Sequence, residues 1–397
     1  MTLGTRRLAV LLGLSVAALI AAVFGAGSSL GEVPYTVFGD AAANTITITD
    51  TGFGDVEFCV DAFCWTENSS FLDSVIVEGY DGNDALVVDH AGGFVTNGAG
   101  ALVISFNAGP GDDRVEVCPT GCAGVQATTW TPSAVAGDGG LAQQGFGVAT
   151  DLVLASVSAV RDGSDGSLVV NGTTGDDAIT YAAGGGGAGR IGVGGLTPYD
   201  FTAKSDLTVN GGQGADRVEL ANPGTPALFG DCSSADGAQA VCVHGDAGAG
   251  DRLVAHGASG AADAVVLAPT SDGAGTLGGL TAGGVAYSGI EATDLSLQYG
   301  ADGDRFGVVG TPGDDLLELR TSTVPGSATL AGALDRAATA FPLPVTVVTG
   351  ANTTAAGVLE FTAVSGADEL VVHGTARNDA FGLDPDAPDT LRHEVDG

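Results

Sequence analysis

Basic residues are scarce in this chain of 397 residues. Lysine and arginine together number 13 against 48 aspartates and glutamates, and Lys204 is the only lysine. Binding to nucleic acid needs clustered basic side chains that neutralise phosphates. We therefore expect no nucleic-acid partner.

Residues that favour helices are few as well. Methionine occurs once, 37 of the 48 acidic residues are aspartate, and glycine occurs 66 times. This balance, with abundant valine, threonine and alanine, favours strands and turns over helices. The glycines keep no strict three-residue period, which excludes collagen, and an apolar share of 44% disfavours a disordered acidic tail. The composition predicts an all-β protein rich in Gly-Asp turns.

The first 28 residues predict an export signal. Arg6 and Arg7 precede an apolar run over residues 8–24, and small residues follow at 25–28, which is the order of a cleavable secretory signal. The run lies at the lower limit of a membrane span, so an uncleaved anchor is the alternative. No later segment is apolar enough to cross a bilayer. We expect a secreted or cell-surface protein with no membrane span after the signal.

Six cysteines fall into three close pairs: Cys59 with Cys64, Cys118 with Cys122, and Cys232 with Cys242. Six cysteines allow fifteen connectivities, and local pairing is favoured because the members of each pair flank a predicted turn. The competing interpretation is zinc, but these spacings lack the paired C-x-x-C or histidine ligands of a four-ligand site. Export and an even cysteine count favour disulfides.

One motif recurs along the chain: a glycine, two or three residues, a glycine or small residue, an aspartate, and then alternating apolar positions. The clearest copies are GYDGNDALVV (79–88), GPGDDRVEV (109–117), GTTGDDAITY (172–181), GGQGADRVEL (211–220) and GTPGDDLLEL (310–319). Looser copies start at residues 248, 257, 300, 366 and 374. A decayed copy over residues 39–48 has Thr45 where the aspartate is expected.

The motif predicts a tight turn followed by a strand. Glycine permits positive φ, and aspartate bonds back to nearby backbone N–H groups. Apolar and polar residues then alternate, so Leu86 and Val88, or Val218 and Leu220, should share one face of a strand. Arginine follows the aspartate in four copies, on the predicted solvent face, where it would offset neighbouring carboxylates. These arginines are Arg114, Arg217, Arg252 and Arg305.

Copies of the motif pair into modules of roughly 40 residues, a common length for stacked repeats. Units that cannot each close a core usually stack into a solenoid. We therefore predict a parallel β-solenoid of stacked, β-roll-like repeat modules. The expected divisions are the signal at 1–28, a first module with cysteine loops at 33–117, an irregular β insert at 118–171, modules at 172–256, 257–309 and 310–373, and the start of an incomplete module at 374–397.

At GGQGADRVEL the motif resembles the nonapeptide of the RTX (haemolysin-type) calcium-binding repeats, G-G-x-G-x-D-x-apolar-x. The longer modules resemble large secreted bacterial repeat proteins that carry such motifs singly. The resemblance implies a parallel β-roll in which turn aspartates and turn carbonyls of successive turns share Ca²⁺ ions. The aspartates that match the family pattern are Asp84, Asp113, Asp177, Asp216, Asp315 and Asp379. Those that match with a gap or a shift are Asp251, Asp263, Asp304 and Asp368.

The chain departs from that family in two respects. Its motifs are not contiguous, so a module roughly 40 residues away must supply each neighbouring turn. Arginine often follows the aspartate and would partly replace the cation. Aspartates with turn carbonyls are suitable Ca²⁺ ligands; the alternative is that each aspartate caps its own turn and the excess charge serves solubility.

The sequence contains few motifs that indicate catalysis. The sequence contains no G-x-S-x-G, no H-E-x-x-H and no EF-hand loop, and its five histidines are scattered. Adjacent carboxylates such as Asp176 and Asp177 suit acid–base catalysis, but they recur with the motif, whereas an active site needs one asymmetric constellation. We expect a non-catalytic Ca²⁺-binding structural or adhesive protein of the cell surface or extracellular matrix, with a surface glycan or protein as further partner. The alternatives are a calcium-independent adhesive solenoid and a carbohydrate-active β-helix enzyme.

Overall fold

The computed structural model describes residues 34–122, 124–184, 188–221, 241–246, 248–256, 264–279, 284–297, 305–321, 327–334, 341–342, 345–350, 358–362, 369–373, 382–383 and 390–394. Beyond residue 334 only the backbone pairing is described. The predicted signal at 1–28 lies outside these residues, as do Cys232, Asp263, Asp304, Asp368 and Asp379.

The strands, numbered along the chain, belong to two sheets. Sheet A contains, in spatial order, β1 (Tyr35–Phe38), β5 (Ser74–Glu78), β7 (Ala101–Asn107), β11 (Val148–Ala155), β10 (Gly139–Gly145), β9 (Ala127–Pro132), β13 (Ser167–Asn171), β17 (Asp206–Asn210), β19 (Val241–His244), β23 (Val285–Ser288), β22 (Ala274–Gly278), β21 (Ala264–Ser271), β25 (Arg305–Val309), β30 (Val358–Thr362), β33 (Thr390–Glu394) and β32 (Gly382–Leu383).

The strands of sheet B can likewise be given in spatial order, each paired with the next. The order is β4 (Phe63–Asn68), β3 (Asp55–Val60), β2 (Thr45–Asp50), β6 (Ala85–Asp89), β8 (Arg114–Cys122), β12 (Ala159–Ser164), β16 (Tyr199–Phe201), β15 (Gly189–Val193), β14 (Ala178–Ala183), β18 (Arg217–Ala221), β20 (Arg252–His256), β24 (Ala292–Leu297), β29 (Val345–Gly350), β27 (Ser327–Leu334), β26 (Leu316–Thr321) and β31 (Glu369–His373), with β28 (Phe341–Pro342) beside β27. A single 3₁₀ turn, Ser69–Phe71, stands among the described residues.

Strands that follow one another in the chain alternate between the sheets. Strand β5 lies in sheet A, β6 in sheet B, β7 in sheet A and β8 in sheet B. As a result β5 pairs with β7, and β6 pairs with β8, in parallel. The described residues are almost all strand or turn, with parallel-rich sheets, so the all-β prediction is confirmed.

Three-stranded antiparallel segments interrupt this alternation. Each of them begins and ends within one sheet. In sheet B they are β2–β3–β4, β14–β15–β16 and β26–β27–β29, and in sheet A they are β9–β10–β11 and β21–β22–β23. Strands β9 to β13 come from the segment 118–171, so this segment contributes paired strands to both sheets. Within these segments the sequence predicted the short turn between Cys59 and Cys64, but not the three-stranded arrangement.

The core consists of the alternate apolar residues of these strands. Leu86, Val88, Val218 and Leu220 are all buried, which confirms the predicted strand face. Residues at the same level in neighbouring repeats pair directly, as Val77 does with Phe106. Because such rows continue from strand to strand, apolar burial is shared along the chain.

Local disulfides join two of the predicted cysteine pairs. Cys59 and Cys64 lie opposite each other on β3 and β4 and are bonded, and Cys118 is bonded to Cys122. Cys242 is also disulfide-bonded. None of the residues that the structure describes forms a helix of the length and apolarity needed to span a membrane.

Candidate functional site

The described Gly-Asp turns all lie at one kind of connection, from a strand of sheet A to the next strand of sheet B. The turn at 79–84 joins β5 to β6, the turn at 172–177 joins β13 to β14, and the turn at 211–216 joins β17 to β18. Because the flanking strands pair in parallel with their neighbours, these turns stack along the same edge. One sheet-A strand, its turn and the following sheet-B strand are called a repeat below.

The motif carboxylates hold successive repeats together. In the first group, the backbone N–H of Asn44 donates to Asp84 Oδ1 at 2.8 Å, and the N–H of Asp84 donates to Asp113 Oδ1 at 2.6 Å. Asn44 thus occupies the place of the motif aspartate, five residues after Gly39, and the expectation that Thr45 takes this place is wrong. This row, Asn44–Asp84–Asp113, is the first ladder.

A second ladder repeats the arrangement with four residues. The N–H of Asp177 donates to Asp216 Oδ1 at 2.8 Å, and the N–H of Asp216 donates to Asp251 Oδ1 at 2.7 Å. The N–H of Asp251 then donates to Glu291 Oε2 at 2.7 Å. Glu291 comes directly after Gly289 and Ile290, and its place at the end of the ladder was not predicted.

Four ladder carboxylates keep one oxygen without a hydrogen-bond partner. These Oδ2 atoms are buried, and they belong to Asp84, Asp113, Asp216 and Asp251. The side chains of these aspartates have at most 1% of their surface exposed. Burial raises the pKa of all four carboxyls, and the backbone N–H that each accepts lowers it in part. The ladders therefore place carboxyl groups where an unneutralised negative charge is unfavourable.

The first glycine of the motif lies against the Oδ2 atom of the motif aspartate, where a larger residue would not fit. A Cβ on Gly245 would lie 2.5 Å from Asp251 Oδ2 and 2.0 Å from the carbonyl oxygen of Gly289. A Cβ on Gly79 would likewise lie 2.6 Å from Asp84 Oδ2 and 2.5 Å from the carbonyl oxygen of Ala108. The glycine thus packs directly against one carboxylate oxygen and one carbonyl oxygen of the next repeat, and a side chain at this position would clash with both.

Positive φ is required at a later glycine of the turn. In the copy at 211–216, Gly214 has φ +130°, whereas Gly211 has no positive φ and is limited by close approach to Asp216 Oδ2. The prediction that the motif glycines permit positive φ is therefore right for Gly214, while Gly211 is needed for space.

Substitution of Gly172 by alanine is expected to lower the free energy of unfolding by about 1–3 kcal/mol, the usual cost of overpacking. The new Cβ would lie 1.9 Å from the carbonyl oxygen of Gly211 in the next repeat, so the backbone must shift. Urea unfolding followed by circular dichroism measures the change. Gly195→Ala is the matched control because nothing lies within 4 Å of its Cβ position. Equal unfolding midpoints for the two variants would contradict the close stacking of these turns.

Two of the predicted metal ligands instead cap their own turns. Asp177 Oδ2 accepts from the N–H of Thr173 at 2.6 Å, and Asp315 Oδ2 accepts from the N–H of Thr311 at 2.6 Å. Threonine at this position also donates its hydroxyl to the same carboxylate. Both oxygens of each carboxylate therefore accept from the threonine of the same turn, as the capping interpretation expects.

The motif arginines face glutamates on their own strands. Arg114 Nε lies 2.7 Å from Glu116 Oε1, and Arg217 forms an ion pair with Glu219. Both arginine side chains are more than two-fifths exposed. These two arginines therefore pair with surface glutamates two residues along the strand.

Within the described part of the chain, three metal-ligating side chains come within 4.8 Å of one another at Glu57, Cys59 and Cys64. The two cysteines are bonded to each other, so they offer no thiolate to a metal. The ladders supply one carboxylate per repeat, and any cation there would depend on backbone carbonyls for further ligands.

A comparison with known proteins finds no family model that matches this chain and no curated protein that matches it. The resemblance to calcium-binding repeats therefore rests on the motif residues of the sequence alone.

Proposed function

We propose that the chain is an exported, non-catalytic repeat protein of the cell surface or extracellular matrix, built as a parallel β-solenoid that binds Ca²⁺ along its stacked turns. Support for the solenoid comes from the strands that alternate between two sheets and pair in parallel with the strand one repeat away. In such proteins each repeat contacts its neighbours, and the stacked repeats bury a continuous core.

The observation that carries the calcium proposal is the buried, unpartnered Oδ2 of four ladder aspartates. Parallel strands place neighbouring repeats about 4.8 Å apart, so two ionised carboxylates in one ladder repel each other at close range. A cation between repeats would remove this repulsion and give the free oxygens a partner. The arginines that follow Asp113 and Asp216 do not neutralise the ladder carboxylates, because they pair with Glu116 and Glu219.

The donor set suits a hard cation. Asp84 Oδ2 and the carbonyl oxygen of Ala108 both lie close to Gly79, and Asp251 Oδ2 and the carbonyl oxygen of Gly289 both lie close to Gly245. Calcium prefers oxygen ligands of this mixed kind and tolerates irregular geometry. Asp84, Asp113, Asp216 and Asp251 would hold the ion, which would screen their charges and tie each repeat to the next.

The repeated use of the carboxylates supports a structural role over a catalytic one. Asp84, Asp177 and Asp216 each take part in the same N–H to Oδ1 contact with a neighbouring repeat. A catalytic pair instead needs two carboxyls that a substrate can reach and whose environments differ. A solenoid of this kind offers its long outer faces to a glycan or protein, and adhesion would occur there.

Millimolar Ca²⁺ is expected to raise the melting temperature of the protein relative to the same protein in EGTA, while Mg²⁺ has a much smaller effect. Binding to the folded state alone stabilises it by about 2.7 kcal/mol when the free ion exceeds Kd a hundredfold. Far-UV circular dichroism melts measure the shift. Asp216→Asn should reduce it, because the amide keeps an oxygen for the N–H of Asp177 but removes the charge.

The matched control for Asp216→Asn is Asp151→Asn, since Asp151 is an exposed residue on β11. It removes the same charge from the protein and should leave the calcium shift unchanged. A cooperative melt of a β-rich protein with the same melting temperature in Ca²⁺ and in EGTA would contradict the calcium proposal. The ladders would then act as calcium-independent caps, and the adhesive solenoid would remain.

A further inference from the structure

The only lysine of the chain lies inside the core against an aspartate. Lys204 follows β16 and Asp162 lies on β12, and Lys204 Nζ is 2.6 Å from Asp162 Oδ2. Neither side chain has any exposed surface. A lone lysine placed in this way is unusual, because a buried ammonium loses its hydration and a surface position would avoid the loss.

Polar groups surround both reacting atoms. Lys204 Nζ donates to Ser164 Oγ at 2.7 Å and to Thr128 Oγ1 at 3.1 Å. Asp162 Oδ2 accepts from the hydroxyl of Tyr199 at 2.5 Å, and its Oδ1 accepts from the N–H of Ser164 at 2.8 Å. The carboxyl group is therefore fixed at both oxygens, with the amine directed at it.

Aromatic side chains close the site from solvent. Trp130 is 1% exposed and its ring stacks on Tyr199 with centroids 5.6 Å apart. Asp165 supplies a second carboxyl group, and its Oδ1 is buried with no hydrogen-bond partner. The backbone carbonyl of Asp165 accepts from Lys204 Nζ at 3.4 Å, which places this residue beside the amine.

We propose that Lys204 and Asp162 become joined by an intramolecular amide bond, formed without an enzyme as the protein folds. The Nζ lone pair attacks Cγ of the protonated Asp162 carboxyl, and the new N–C bond replaces the C–O bond to one oxygen. That oxygen leaves as water, carrying its own proton and one from Nζ. The reactants and products balance as amine plus carboxylic acid to amide plus water, with no oxidant, reductant or further reactant.

The buried site favours the neutral amine that this reaction needs. Burial is the main cause that lowers the pKa of Lys204, against the opposing effect of Asp162. Proton transfer from the ammonium to the carboxylate yields an amine and a carboxylic acid already in contact. Fixed contact of this kind is worth an effective concentration of about 10⁵–10⁸ M, and closure by the aromatic rings keeps water from reversing the step.

Tryptic peptide mapping of the reduced wild-type protein tests the proposal. The amide removes the positive charge that trypsin recognises, so cleavage after Lys204 should fail. A branched peptide should appear that joins residues 162–190 to residues 191–217, with a mass lower by about 18 Da for the lost water. Fragmentation of this peptide should locate the link between the two side chains.

The intact mass alone does not distinguish the proposed amide from another product, because Asp162 can lose the same water by cyclising onto the backbone nitrogen of Gly163. Lys204→Arg separates the two reactions: it keeps the positive charge and the tryptic site but lacks the primary amine. It should yield no branched peptide and full cleavage at position 204. Complete cleavage after Lys204 in the wild-type protein, with no branched peptide, would overturn the proposal and leave a buried ion pair.

Discussion

Replacing Asp162 with alanine is expected to lower the free energy of unfolding by about 3–5 kcal/mol, the usual cost of leaving one buried charge unpaired. Without the carboxylate, Lys204 keeps the hydroxyls of Ser164 and Thr128 and the carbonyl of Asp165 as partners. These neutral groups cannot balance an ammonium inside the core. Urea unfolding, followed by far-UV circular dichroism, gives the free energy. Loss of the proposed amide would add to the effect.

Two variants show whether the unpaired charge is the cause. The double substitution Asp162→Leu with Lys204→Met removes both charges and should recover most of the stability, because apolar residues of similar volume often replace a buried ion pair at little cost. Asp200→Ala breaks the surface pair with Arg190, whose side chain is 63% exposed, and should cost about 0–1 kcal/mol. A loss for Asp162→Ala as small as that for Asp200→Ala would refute the argument.

The strand that follows each motif could be predicted from the sequence because two local signals agree. The Gly-Asp turn marks where the strand begins, and the alternation that ends in Val88 or Leu220 marks its buried face. The local cysteine pairs were predictable for a similar reason, since Cys59 and Cys64 flank one short turn. In these cases the residues that decide the structure lie within a few positions of one another.

The contacts between repeats could not be predicted in the same way. Pairing the N–H of Asp177 with Asp216 depends on the register of two strands separated by a whole module. The antiparallel segments change which strands become neighbours, and the glycine-rich sequence around β15 carries little alternation that would reveal one. Lys204 and Asp162 share no motif, and their contact depends on β12 pairing with β16. The single lysine of the chain was the available signal for this site.

Alanine at both Asp216 and Asp251 is expected to cost roughly 2–6 kcal/mol in EGTA. Each substitution removes the acceptor of a buried backbone N–H, that of Asp177 or of Asp216, and each orphaned donor costs about 1–3 kcal/mol. The losses fall on adjacent repeats and disturb the same row of turns, so they should couple. Thermal and urea unfolding of the double variant measure the loss.

Asparagine at the same two positions separates the hydrogen bond from the charge. Asn44 shows that an amide can occupy a ladder position, where its Oδ1 accepts the backbone N–H of Asp40 within the same turn. The double asparagine variant should therefore retain more stability in EGTA than the double alanine variant, while losing the calcium response. Asp151→Ala, an exposed substitution, should change stability by less than about 0.5 kcal/mol. If alanine and asparagine destabilise equally, the ladder bonds do not hold the repeats together; if asparagine preserves the full calcium shift, the ion binds elsewhere.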